Sequence, residues 1–299
     1  MFLNPGCSNV QPDFSKVKRR HFNIKSLDYT ELPYQYKYVM PLDDPQDPHD
    51  EKGIPLFRVN HQNHYHPVYL FETSLHLISN YFSTQNKKYL DLAAYYSMTM
   101  VKMAHEFKGA LFFPYPFDNR LKAKERGKYV LIKAPWYSGM AQGQALSVFC
   151  RLYNLTRKQE YLDIARKVFK SFLFLEGKEN PWYVQIDSNS YLWIEECPVP
   201  EHATILNGFI FGIYGLYEYY QVTRDETAKT LFQAATTTVE AHIHRYRNKG
   251  DLSWYSLDNF HKTVPKYHAC HVEQLEMLYK MTGNFFFHVM SLRFREDYH

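Results

Sequence analysis

Four stretches of this chain share one plan: an apolar helical run, a polar turn holding a threonine, then a second helical run. The first covers residues 64–106. "HPVYLFETSLHLISNYF" gives way to "STQNKK" and then to "YLDLAAYYSMTMVKMAHEF". Apolar residues recur at helical spacing in both runs, and a Thr or Asn precedes the second, as an N-cap does. The plan returns over 141–175, over 205–243 and, shortened, over 271–294. Thr84, Thr156, Thr223 and Thr282 mark its register at intervals of 72, 67 and 59 residues. Serial helical hairpins of this length either stack as an open solenoid or close into a toroid. The connectors between them are long and aromatic: "FFPYPFDNRL" (112–121), "PWYVQIDSNSYLWIEECP" (181–198) and "GDLSWYSLDNFHKTVPKYHACH" (250–271). Simple solenoids use short turns, so the expected fold is all-α: an α/α barrel of about four hairpins. Residues 1–63 are polar and punctuated by proline. They read as an irregular arm packing on a catalytic barrel of residues 64–299. Connectors converging at one end of a rigid scaffold are where chemistry is expected.

With 299 residues, 45% of them hydrophobic, the chain can bury a substantial core. Its 26 Tyr, 22 Phe and 4 Trp exceed what a core alone requires. Aromatic rings with a polar tip suit a wet cleft that holds sugars. A net charge of +4 excludes an obvious nucleic-acid binder. The basic stretches 16–25 and 120–133 read as solvated surface or as a polyanion attractor. No uncharged run spans a bilayer. The N-terminus has no signal-peptide pattern, so the expected compartment is the cytoplasm. Cys7, Cys150, Cys197 and Cys270 form no CxxC pair, which argues against a disulfide framework.

The stretch "WIEECP" (193–198) concentrates reactive groups. A metal site is disfavoured: "YHACH" sets His268 and His271 three apart, but neither a CxxC nor an HxxxH pair accompanies it. A Cys197 nucleophile is disfavoured, since Glu195 and Glu196 raise a thiol pKa. The adjacent glutamates cannot be a glycosidase pair, because neighbours in an extended segment point to opposite faces. That mechanism would need another acid, such as Asp258. Proton abstraction beside a carboxylate remains, with Glu196 from one connector and Tyr255 and Tyr267 from the last one converging.

"WYSGMAQGQA" (136–145), "WIEECP", "ILNGFIFGIYGLYEY" (205–219) and "KYHACHVEQL" (266–275) together resemble the D-glucuronyl C5-epimerases, over most of residues 64–299. The resemblance implies an α/α barrel that inverts C5 of glucuronate within a heparosan-like polymer, with no cofactor or metal. It implies Glu196 and Tyr267 on opposite faces of C5, and Tyr255 as an auxiliary. It also implies substrate contacts from the neighbourhood of Trp136, Tyr137, Gln142, Gln144, Asn207 and His271. Tyrosine stands in animal members where this chain has Cys197. They also have a basic residue near the position of Asp258, so the substrate carboxylate must find another cation: Arg120, Lys133, Lys266 or His268. The expected partner is an anionic uronate-containing polysaccharide, with no nucleic acid and no membrane span; a homodimer is compatible. A uronate lyase, which shares the C5 deprotonation, and a non-catalytic glycan-binding relative are the alternatives.

Overall fold

The computed structural model describes residues 13–42, 48–122, 128–257 and 265–298. Asp258 and Cys7 lie outside them. The four hairpins form as the threonine register implies: α1 (Pro67–Thr84) with α2 (Lys87–Lys102), α3 (Gly139–Thr156) with α4 (Gln159–Ser171), α5 (Leu206–Thr223) with α6 (Glu226–Tyr246), and α7 (Pro265–Thr282) with α8 (Phe285–Asp297). The odd-numbered helices pack on one another in sequence and make the inner layer, and each even helix covers its partner. In α3 and α5 almost the whole surface is buried.

The turns show why threonine recurs. Each of the four threonines ends an inner helix. Its hydroxyl donates to the carbonyl four residues back, as Thr156 does to Leu152 at 2.6 Å, and likewise at Thr84, Thr223 and Thr282. The same oxygen accepts the amide two residues on. Between them Gln85, Arg157, Arg224 and Gly283 adopt the left-handed conformation that closes a helix C-terminus. Asn86, Asp225 and Asn284 then cap three of the outer helices with their side chains.

Inner helices α3 and α5 approach unusually closely because glycines face each other. A methyl group built on Gly143 would lie 2.4 Å from the Phe211 carbonyl oxygen and 2.6 Å from Gly212 Cα; one on Gly215 would lie 2.4 Å from the Gly143 oxygen. The buried Arg151–Glu218 pair, at 2.7 Å, fastens the same two helices, and Arg151 also donates to the Pro33 carbonyl of the arm.

The connectors carry small antiparallel ribbons. β1 (Phe57–Val59) pairs with β2 (Gln62–His64), β3 (His105–Phe107) with β4 (Ala110–Phe112), β5 (Pro114–Tyr115) with β8 (Trp136–Tyr137), β6 (Asn119–Lys122) with β7 (Tyr129–Ile132), and β9 (Val184–Ile186) with β10 (Leu192–Ile194). The arm before β1 runs across the C-terminal halves of the inner helices. Lys25 donates to Met281, Leu27 to Tyr217, Tyr36 to Ser79 and Met40 to Asn80. It then returns, so that the β1–β2 ribbon stands at the opposite end, over the inner-helix N-termini.

Gly143→Ala should destabilise the protein by about 2 kcal/mol or more, because the crowding atoms are backbone and cannot rotate away. Thr156→Val keeps the shape and removes two hydrogen bonds, and should cost about 1–2 kcal/mol. Urea unfolding of both variants measures the difference; equal stability of Gly143→Ala and the wild type would refute the close-approach argument.

Candidate active site

All four inner helices begin at one cleft of about 640 Å³. Val68 of α1, Ser138 and Met140 at the start of α3, Asn207 of α5, and Lys266 and Tyr267 of α7 line it. Helix N-termini carry partial positive charge and free N–H groups. Four of them facing one cavity favour an anion there.

Glu196 follows β10 into this cleft. Its neighbour Glu195 points the other way and is buried, accepting the Thr204 amide at 3.0 Å and the Gln185 side chain at 3.3 Å. The Glu195 carbonyl accepts the Gly139 amide, which ties β10 to the start of α3. Glu196 lies against Gly208 in the first turn of α5, where a methyl group would come within 2.4 Å of its Cβ. Only a glycine admits the carboxylate there. Tyr255 donates to Glu196 Oε1 at 3.1 Å. Oε2 faces the Gly208 amide and the Asn207 side chain without an aligned hydrogen bond to either. Burial raises the Glu196 pKa to about 7, and Tyr255, Gly208 and Asn207 limit the rise. The ring of Tyr267 is 4.9 Å from that of Tyr255. Burial first, and then Glu196, push both phenols above their ordinary range, so both are neutral at pH 7. One titrating carboxylate therefore sits beside two phenolic proton donors.

Cys197 also lines the cleft, 3.9 Å from Asn119 Nδ2. Burial, then Glu196 and Glu195, hold its thiol well above the usual range. It is a neutral thiol. Trp136 lines the wall, stacked on Tyr115 with centroids 3.8 Å apart, and donates to the Phe117 carbonyl. Asn207 has its Oδ1 buried without a partner, and so does the hydroxyl of Ser138.

Other residues singled out in the sequence lie elsewhere. Tyr137 alternates with Trp136 along β8 and points into the core, where its hydroxyl meets His105 Nδ1 at 2.7 Å. Gln142 is fully buried and braces the connector, bonding the Phe113 amide, the Leu111 carbonyl and Ser171. Gln144 is buried inside α3 with both amide atoms unpartnered and does not line the cleft. His268 and His271 converge on Ser253 and fasten the last connector to α7. Burial lowers the His271 pKa to about 3, so it is neutral. Among the described residues no three His, Cys, Asp or Glu side chains are grouped to hold a metal. Arg120 and Lys133 border an adjoining depression, and Lys133 is paired with Asp118 at 2.8 Å. Of the four cations read from the sequence, Lys266 alone lines the cleft.

Several contributors were not read from the sequence. Arg58 reaches the cleft from β1, and Asn119 and Glu72 line it from β6 and α1. Burial holds the Glu72 carboxyl above its ordinary range against the pull of Lys266. Tyr267 was placed in a connector. Pro265 starts α7 two residues earlier, so Tyr267 stands in the first helical turn.

The helical hairpins and their inner-helix cleft make the fold an α/α barrel. Two solved structures share the fold: a cellobiose 2-epimerase from Bacillus thermoamylovorans (TM-score 0.55, 13% identity, covering 83% of this chain and 66% of that one) and a GH76 α-mannanase from Bacteroides thetaiotaomicron (TM-score 0.51, 16% identity, covering 82% and 61%). Residues 108–296 match the model for the D-glucuronyl C5-epimerase C-terminus, and the chain belongs to that family. It is 28% identical over 160 residues to the D-glucuronyl C5-epimerase of Caenorhabditis elegans, which is 48% of this chain and 26% of that protein. The chain thus spans about a quarter of that relative's length.

The raised Glu196 pKa has a sign for stability. Between the unfolded value near 4.5 and about 7, the folded protein holds a proton that the unfolded chain has lost, so this group's contribution falls as pH rises. Above pH 7 the buried charge costs the fold about 2–4 kcal/mol. Glu196→Gln should match the wild type in stability near pH 4 and exceed it at pH 8. Denaturant titrations at the two pH values test this; a variant less stable at pH 8 would overturn the burial argument.

Proposed function

We propose that this protein epimerises C5 of D-glucuronate to L-iduronate within a heparosan-like polysaccharide. One observation carries the reading: a half-buried carboxylate, hydrogen-bonded to one tyrosine and close to a second, in a cleft where four inner helices begin. Glu196 in its charged form is the base that takes the C5 proton. Tyr267, neutral and partly exposed to the cleft, returns a proton from the opposite face, and Tyr255 holds Glu196 in place. Developing charge on the uronate carboxylate is met by Lys266 and Arg58 together with the inner-helix N-termini. The family and the C. elegans relative support the reaction class. The observed juxtaposition supports the residue roles.

Incubation with heparosan in deuterated water should place deuterium at C5 and yield iduronate. Well-folded protein that gives neither overturns the reading. A rise in ultraviolet absorbance with falling chain length would assign a lyase instead. Glu196→Gln and Tyr267→Phe should each lower turnover by about 10²–10⁴-fold, the range for loss of a general acid or base. Because the base is the ionised form, kcat/KM should fall as pH drops through about 7; a rate independent of pH from 6 to 8 would remove Glu196 from the role. Arg58→Ala should raise KM for the polymer by about tenfold, and an unchanged KM would exclude the arm from substrate binding.

A further inference from the structure

The β6–β7 ribbon is amphipathic in a way the catalytic cleft does not explain. Asn119 pairs with Ile132, Arg120 with Leu131 and Leu121 with Val130. Alternation along a strand gives the ribbon two faces. Ile132, Leu121 and Val130 pack on the apolar cluster that includes Trp136 and Tyr115. The other face carries Arg120, Tyr129 and Leu131. Tyr129 is 59% exposed and Leu131 45% exposed. A ring and a leucine left open beside a cation are not needed to hold the ribbon down, since its inner face already does that.

This outer face is continuous with the catalytic cleft. A depression of about 540 Å³ is bordered by Arg120, Leu131 and Lys133, and its remaining wall includes Val59, Asn60 and Asn119. Those last three also line the cleft that holds Glu196. The charge balance is positive. Asp118 is held by Lys133 at 2.8 Å and by the Ala134 amide at 3.0 Å, and these contacts keep its carboxyl below the ordinary range. Arg120 has no ion pair among the described residues, so its guanidinium is the uncompensated charge.

We infer that the outer face of β6–β7 is a second subsite for the anionic polysaccharide, taking sugar units beyond the one seated at Glu196. The occupant is a uronate-containing glycan chain. Arg120 meets a carboxylate, and Tyr129 and Leu131 offer flat apolar area to sugar rings. The inference rests on the uronate being bound at Glu196, because that is what delivers the chain to the adjoining wall. Two of the cations that do not reach the cleft thereby gain a place: Arg120 binds, and Lys133 neutralises Asp118 so that the wall stays attractive to an anion.

Binding of fluorescently labelled heparosan tetrasaccharide and of a long heparosan chain separates this subsite from the catalytic one. The wild type should bind the long chain more tightly, and added salt should narrow the gap. Arg120→Ala and Tyr129→Ala should each weaken long-chain binding about five- to tenfold, with little change for the tetrasaccharide. Lys158→Ala removes one positive charge at the opposite end of α3 and should leave both affinities as they are. Equal affinity of the wild type for both lengths, or an Arg120→Ala variant that keeps the full length preference, overturns the subsite. Deuterium exchange at C5, measured in parallel, reports separately on the epimerase reading. Exchange with no length preference sinks the subsite alone, and a length preference lost in Arg120→Ala without exchange sinks the epimerase reading alone.

Discussion

A close backbone approach along one face of α5 sets the position of the candidate catalytic carboxylate. Gly208, Gly212 and Gly215 fall four and three residues apart, on one face of α5. Gly208 receives the side chain of Glu196, Gly212 receives Ile194 of β10, and Gly215 receives the backbone of Gly143 on α3. Side chains on that face would push β10 away from α5, and Glu196 with it. The carboxylate then would no longer rest in the first turn of α5, where the helix start and Tyr255 moderate the cost of burying it. The titration of Glu196 near neutrality is therefore a packing property first. Desolvation raises the pKa, and the glycine face fixes how much compensation reaches it.

The two ends of the hairpin array are chemically unequal, and that follows from how the turns are built. At one end each inner helix finishes in a threonine, a left-handed residue and a cap within a few positions, and the N-terminal arm runs across that face. At the other end the helices start from long connectors. Outer helices end there too, with their negative poles, but one layer farther out. The cleft thus meets the positive poles of α1, α3, α5 and α7. Among the described residues Arg58 and Lys266 are the lining arginine and lysine, and the helix poles add to their positive field.

What was legible in the sequence follows the range of the interaction. The hairpins were legible because helical period and the threonine turn are local signals. Glu196 and Tyr255 could be singled out by resemblance, and the structure puts them in hydrogen-bond contact. Trp136 and Tyr137 show the limit. Both belong to one quoted motif, but strand alternation sends the first to the cleft and the second to His105. Gln142 and His271 have side chains that suit binding yet are used to brace connectors, a role set by partners 18 to 31 residues away. Arg58 gave no local signal at all, because it comes from the irregular arm and comes to line the same cleft as Glu196 only through the fold. The glycine spacing on α5 was present in "NGFIFGIYG" and is the signal that would have pointed to a close approach.

Cys197 ties these arguments together. The resemblance read from the sequence implies a tyrosine at this position in animal members. Here the thiol is 5% exposed, packed with Trp136 and Tyr115, and neutral because burial and two carboxylates oppose its ionisation. Tyr255 already supplies the hydrogen bond that Glu196 receives, so the carboxylate has an aligned phenolic donor without calling on position 197.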